Sequence, residues 1–236
     1  MAENGKNLKI FVTCRTRNEE ANIARFCDGY SWADRILIAD GGSEDKTVEI
    51  AESYQKVTVR PFHKRVYGKN NLWRNPHGEH MNFIWKWAMQ DGADWIVFDD
   101  CDCIPTRILR EEARGTFALA DQLGCKSIWI HRLYLYKEDK YFPDMNKPGQ
   151  TVWAWKRTSP VWANESDPWR HEIRVKADPS DGFYLERPYC LLHKFAPDEE
   201  TIQRKKNFYV MSGQHPSMQH PLKFGGRLES LPKWAH

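Results

Sequence analysis

Long apolar runs are missing from this chain. No stretch of its 236 residues approaches the roughly 18 consecutive apolar residues that a bilayer-spanning helix needs. The polar opening from Met1 to Lys9, with only a short apolar run after it, does not make a secretory leader. Cysteine is sparse as well. The six, Cys14, Cys27, Cys101, Cys103, Cys125 and Cys190, show neither the paired spacing of a zinc site nor the density of a disulfide scaffold. These absences together fit a reduced, cytoplasmic protein. A glycine-rich loop after the first apolar run, the usual opening of a nucleotidyltransferase, is also absent; Asn18-Glu19-Glu20 stands there instead. A large excess of one charge is lacking too, since the net charge is +3. The balance is uneven, however, with 17 Lys and Arg against 18 Asp and Glu up to residue 120, and 18 against 14 beyond it. Arg204, Lys205, Lys206, Lys223, Arg227 and Lys233 make the end basic, a pattern that suits solvated surface or contact with an anionic partner.

What is present is a core-forming composition, 41% hydrophobic, with eleven tryptophans. Tryptophan combines a flat apolar face with one N–H donor, so it serves cores and can also stack on sugars or bases. Along the chain, apolar runs at 9–13, 35–39 and 95–98, and a further strand read at 56–60, alternate with helical periodicity. The helices are read at 18–30, at 45–54, around Met81, Ile84, Trp85 and Ala88, and from Pro105 through Ala120. Apolar strands alternating with amphipathic helices imply a parallel sheet covered on both faces. The first 125 residues therefore read as a nucleotide-binding type of α/β domain. Further strands are expected at 127–136 and 151–157, a loop over 164–188, and a final helix opened by Pro197 and stopped by Gly213.

In open parallel sheets, ligands sit beyond the carboxyl ends of the strands. Three polar segments fall there: Thr13 to Glu19, Asp40 to Asp45, and Asp99-Asp100-Cys101-Asp102. If the last continued its strand, Asp100 and Asp102 would project to one side and Asp99 and Cys101 to the other. Two carboxylates on one side repel unless a cation or donors lie between them, and a hard divalent ion shared with ligand phosphates meets that demand. Mn²⁺ or Mg²⁺ is the expected cofactor. The plainer alternative is an acidic turn capping the helix that follows.

Four segments resemble a known family. Ile36 to Thr47 looks like the strand and Asp-x-Gly-Ser-x-Asp-x-Thr turn of family-two glycosyltransferases with the GT-A fold. Arg17-Asn18-Glu19-Glu20-Ala21-Asn22-Ile23, Trp32-Ala33-Asp34 and Asp94 to Asp102 are similar to the lipopolysaccharide core glucosyltransferase-like subgroup. The resemblance implies a mostly parallel α/β GT-A sheet flanked by helices, with an irregular acceptor-side portion. It implies one domain over 1–236: a nucleotide-sugar-binding half at 1–125, an acceptor half at 126–213, and a basic tail at 214–236. Donor contacts would come from Thr13, Arg15, Glu19, Asp40, Gly42, Ser43, Asn82 and Asp100. The metal would be held by Asp102, Asp100 and the late His193. The family often carries Arg-Asn before its third helix; His80-Met81-Asn82 stands here, with Lys69 or Arg74 as substitutes for the charge. Lys194 or Arg204 would neutralise the leaving diphosphate. Glu172, or else Asp181 or Asp178, would take the acceptor proton in an inverting displacement.

The implied activity is transfer of a hexosyl or pentosyl group from a nucleotide sugar, most simply a UDP-sugar, to an acceptor hydroxyl. A saccharide or lipid-linked glycan is the expected acceptor, reached with or without peripheral membrane contact. The basic second half, with Trp153, Trp155, Trp162 and Trp169, also admits a hydroxylated base in DNA. A nucleotidyltransferase and a non-catalytic nucleotide-sugar-binding module are the readings from other classes. The acidic set at Asp40, Asp100 and Asp102 speaks against a decayed site.

Overall fold

The computed structural model describes residues 7–67, 73–137, 139–143, 151–159, 165, 177–196, 198, 200 and 229–235. The first elements in chain order are β1 (Ile10–Thr16), α1 (Glu20–Gly29), β2 (Arg35–Asp40), α2 (Thr47–Glu52) and β3 (Val57–Pro61). The hairpin β4 (Val66–Tyr67) and β5 (Trp73–Arg74) leads into α3 (His77–Gln90), β6 (Trp95–Phe98), β7 (Cys103–Pro105) and α4 (Arg107–Gln122). Then come β8 (Ser127–Tyr136), β9 (Lys140–Tyr141), β10 (Thr151–Lys156), β11 (Gly182–Tyr184), β12 (Cys190–Ala196) and β13 (Glu229–Ser230).

β6, β1, β2 and β3 lie side by side and parallel, as the unbroken apolar runs require. Strand alternation splits their side chains between two cores. Val12, Cys14, Ile36, Ile38, Trp95 and Val97 pack beneath α1, α2 and α4. Phe11, Leu37, Ala39, Ile96 and Phe98 pack beneath α3. The second half of the chain does not form a separate layer. β10 adds antiparallel to β6, and β8 adds antiparallel to β10, so one sheet runs through both halves. The ten-residue β8 then leaves that sheet and pairs along its later part with β12.

β10 carries a bulge, with the register shifting between Val152 and Ala154. A bulge inserts one residue and reverses the alternation after it. Trp153 consequently joins the α1–α4 core and Trp155 the α3 core, 0% and 1% exposed. Neither can stack on an acceptor, which corrects the expectation for these two; Trp162 and Trp169 lie outside the described residues.

Several boundaries also differ. α3 begins at His77, four residues before Met81. Pro105 closes β7 instead of opening α4. A short 3₁₀ turn, Pro179–Asp181, and β11 occupy what reads as loop. The final helix expected over 197–213 falls outside the described residues, apart from Asp198 and Glu200.

Candidate active site

The β1–α1 and β2–α2 loops are tied to each other by their own polar residues. Asn18 takes a left-handed φ of 55° and its side chain accepts from Glu44 N–H at 2.9 Å, while its own N–H donates to Ser43 Oγ at 2.9 Å. Glu19 N–H donates to Thr47 Oγ1, and Glu20 N–H donates to Asp45. Asp40 is buried and accepts from the N–H groups of Gly42 and Ser43 and from the hydroxyls of Ser43 and Thr16. Its carboxylate therefore shapes the turn rather than presenting open lone pairs to a ligand. Gly42 has φ +90°, which favours glycine, and a Cβ on Gly41 would stand 2.0 Å from Asn75 Oδ1. The motif glycines serve a tight turn packed under Asn75.

Thr13 is fully buried, and its hydroxyl donates to Val97 O across the β1–β6 pair. It braces the sheet and does not reach the loop surface, a correction to its expected ligand role. Asn82, on α3, is likewise buried, and donates to Glu165 at 2.6 Å. Arg74 and Asn75 stand just ahead of α3, which begins at His77. Asn75 donates to the carbonyls of Phe62 and Lys64. Beside the same turn, the guanidinium carbons of Arg17 and Arg65 lie 3.5 and 3.8 Å from the Trp73 ring centre. Arg65 also reaches within 3.3 Å of the position a Gly42 side chain would take.

His80 stacks on Phe62, ring centres 4.3 Å apart, and its Nε2 meets Ala39 O at 2.8 Å. Burial, and after it the Arg15 charge, lowers its pKa from the usual 6.5 to about 3. A histidine with a depressed folded pKa stabilises the fold fully above its unfolded value and loses that contribution as pH falls through it. Urea unfolding should thus show the wild type losing on the order of 1–2 kcal/mol more than His80→Phe between pH 7 and 4.5. Equal losses in the two proteins would show that His80 is not the buried neutral group described.

β6 ends at Phe98, so residues 99–102 form a turn and the two-residue alternation does not extend to them. Asp99 is fully buried, held by the Tyr30 hydroxyl and by Arg132 Nη2 at 3.1 Å. Burial still raises its pKa to about 6. Asp100 shares the Arg132 guanidinium at 3.7 Å and meets Arg15 at 3.5 Å. These two cations outweigh its burial and hold Asp100 below the ordinary carboxylate range. Asp99 and Asp100 thus meet the same cation rather than opposite faces. Arg132 was not anticipated; its signal was a lone arginine inside the apolar strand Ser127–Tyr136, where a buried cation demands partners.

Asp102 has a different neighbour. β12 pairs with β7 and β8, setting His193 opposite Cys103 and Tyr134. Lys194 N–H donates to Asp102 O at 2.8 Å, and His193 Nε2 lies 3.2 Å from Asp102 Oδ2. Ligand atoms of Asp102, Cys103 and His193 fall within 4.8 Å of one another. Burial pushes the Cys103 thiol well up, so it stays neutral, and its Sγ lies 3.8 Å from Asp102 Oδ1. The two strong donors are one anionic carboxylate and one imidazole nitrogen, a set that fits Mn²⁺ or Mg²⁺ completed by phosphate oxygens and water.

Other expected residues stand elsewhere. Arg15 and Glu19 lie at the β1 end as expected, with Glu19 accepting from Asn22. Asp181 is paired with Lys126 at 2.6 Å, at the start of β8 and hence at the opposite edge of the sheet from Asp102. Asp178 caps Ser180 nearby. Neither can act as base at the Asp102 end, a correction imposed by strand direction. The Lys194 side chain faces away from His193, as alternation along β12 dictates. Glu172, Lys69 and Arg204 lie outside the described residues.

Residues 14–112 match the model of the family described as Glycosyl transferase family 2. An uncharacterized glycosyltransferase of Rickettsia bellii (strain RML369-C) is 25% identical over 232 residues, 90% of this chain and 70% of that protein. Among solved structures, S. aureus TarS 1–349 superposes with a TM-score of 0.52 at 14% identity, over 86% of this chain and 65% of that one. S. aureus TarS gives a TM-score of 0.53 at 13% identity, over 90% of this chain and 41% of that one. The chain thus spans less than two thirds of the length of these two structures. At such identity the likeness bears on the fold, which is of the GT-A type: a mostly parallel sheet with flanking helices.

Proposed function

We propose that the protein is a metal-dependent glycosyltransferase of family two that moves a sugar from a nucleoside diphosphate, with inversion, onto an acceptor hydroxyl. The observation that carries this reading is the Asp102–His193 pair, 91 positions apart in sequence, seated just beyond the carboxyl end of β6. A bound divalent cation there would offset the charge developing on the departing diphosphate.

The chain's own residues supply the rest. The locked turn from Gly41 to Ser43 offers a close backbone surface for the nucleoside. Arg17 and Arg65 stand beside it with positive charge, and Arg15 stands by Asp100, all suited to phosphate oxygens. Arg132 keeps Asp100 anionic and fixed, available to ribose hydroxyls through its outer lone pairs. As the acceptor oxygen bonds to the anomeric carbon, the bond to the diphosphate breaks and a carboxylate takes the acceptor proton. The resemblance leaves Glu172 for that role. A UDP-sugar is the expected donor and a saccharide the expected acceptor.

The test is release of nucleoside diphosphate from a panel of nucleotide sugars, with Mn²⁺, with Mg²⁺ and with a chelator. Slow release that depends on metal, accelerated by one acceptor from a panel of saccharides, polyol phosphates and hydroxymethylated DNA, is expected. Release unaffected by chelation would overturn the metal assignment, and no release with any donor would favour a binding module.

A further inference from the structure

Alternation along β12 gives the two faces of one strand different tasks. His193 turns toward Asp102, whereas Leu192 and Lys194 turn the other way and line a separate cavity of about 440 Å³. That volume lies within the range of small-molecule sites, roughly 300–1,000 Å³. The cavity floor is apolar and buried, formed in part by Pro105, Leu135, Leu192 and Ala235. The rim is basic. Arg25 from α1, Arg107 and Arg110 from the first turn of α4, Lys137 after β8, and Lys194 of β12 all border it, with Asp139 the one carboxylate among the described lining residues.

These five cations come from four separate parts of the chain, so they are not one charged run meeting solvent. Arg107 has an exposed partner in Glu111 at 3.1 Å, a pair worth little in water. Converging cations raise one another's energy unless an anion joins them. The amino end of the 16-residue α4 adds its partial positive charge on the same side. Arginine in particular matches the paired oxygens of phosphate. A buried apolar floor beneath such a rim suits a ligand that is anionic at one end and apolar at the other.

We propose that this cavity is a second binding site, for an amphiphilic phosphate or diphosphate ester whose charged group meets the Arg107–Arg110–Lys194 rim. Its apolar portion lies on the Leu135–Leu192 floor. The site shares β12 with the candidate active site but not its face, so its ligand and the nucleotide bind without displacing each other. A monomeric lipid phosphate and a phosphorylated membrane surface present the same chemistry, and a concave cavity of about 440 Å³ is sized for the monomer.

The test uses the full chain and titration calorimetry with four probes: decyl phosphate below its micelle concentration, inorganic phosphate, decanol, and vesicles containing phosphatidic acid. Decyl phosphate is expected to bind one to one, about tenfold or more tighter than inorganic phosphate or decanol. The double variant Arg107→Gln/Arg110→Gln, and independently Lys194→Gln, should each weaken it by about tenfold while UDP binding with Mn²⁺ is unchanged. Thermal melts check that each variant is folded. Absence of saturable decyl phosphate binding, undiminished binding by both variants, displacement by UDP, or binding to vesicles alone would each overturn the proposal.

Discussion

Asp102→Asn is expected to lower metal-dependent turnover by on the order of 10²–10³-fold while leaving the melting temperature nearly unchanged. The asparagine keeps the shape of the turn, and the Lys194 N–H bond to the Asp102 carbonyl involves only backbone. It removes the anionic oxygen that faces His193 at 3.2 Å. The diagnostic readout is the Mn²⁺ concentration giving half-maximal release of nucleoside diphosphate. That concentration should rise sharply in Asp102→Asn and, to a smaller degree, in His193→Ala. Full turnover at the wild-type manganese requirement in both variants would remove the pair from the active site.

Arg132→Leu should have the largest effect on stability. It leaves Asp99, which has no solvent access, with Tyr30 and the Asp100 N–H as its hydrogen-bond partners and no cation. It also takes one of two cations from Asp100. Removing one member of a buried ion pair costs about 3–5 kcal/mol, because the remaining charge stays desolvated. In a chain of this length that corresponds to a melting temperature lower by about 10 °C. The double variant Arg132→Leu/Asp99→Asn should recover most of the loss, since an amide can remain buried without a counter-charge. A wild-type urea midpoint in Arg132→Leu alone would mean that the guanidinium does not neutralise Asp99.

The parallel half of the fold was legible because its three inner strands are apolar on both faces and β3 keeps alternating valines. The runs at 9–13, 35–39, 56–60 and 95–98 each correspond to a strand of the sheet, within a few residues. Helix starts were less legible. His77 to His80 carry no strong apolar periodicity, so the first turn of α3 has no hydrophobic signal. The bulge in β10 is invisible in sequence, and with it the division of Trp153 and Trp155 between two cores.

Residue types alone determined that this chain builds a layered α/β sheet with acidic and glycine-bearing loops at its carboxyl edge, because hydrophobic periodicity and turn chemistry are local properties. The family resemblance, not residue types alone, named Asp102 and His193 together. Only the folded chain decided which polar groups remain available to a ligand. Asn18 and Asp40 both bond Ser43, Asp45 accepts from Glu20 N–H across the two loops, and Thr13 bonds the neighbouring strand. Asp100 is held in place by Arg15 and Arg132 with part of its carboxylate still exposed, and strand direction takes Asp181 to the far end of the strands. The physical reason is that a polar side chain's role depends on which other groups satisfy it, and those partners are set by pairings between residues tens of positions apart.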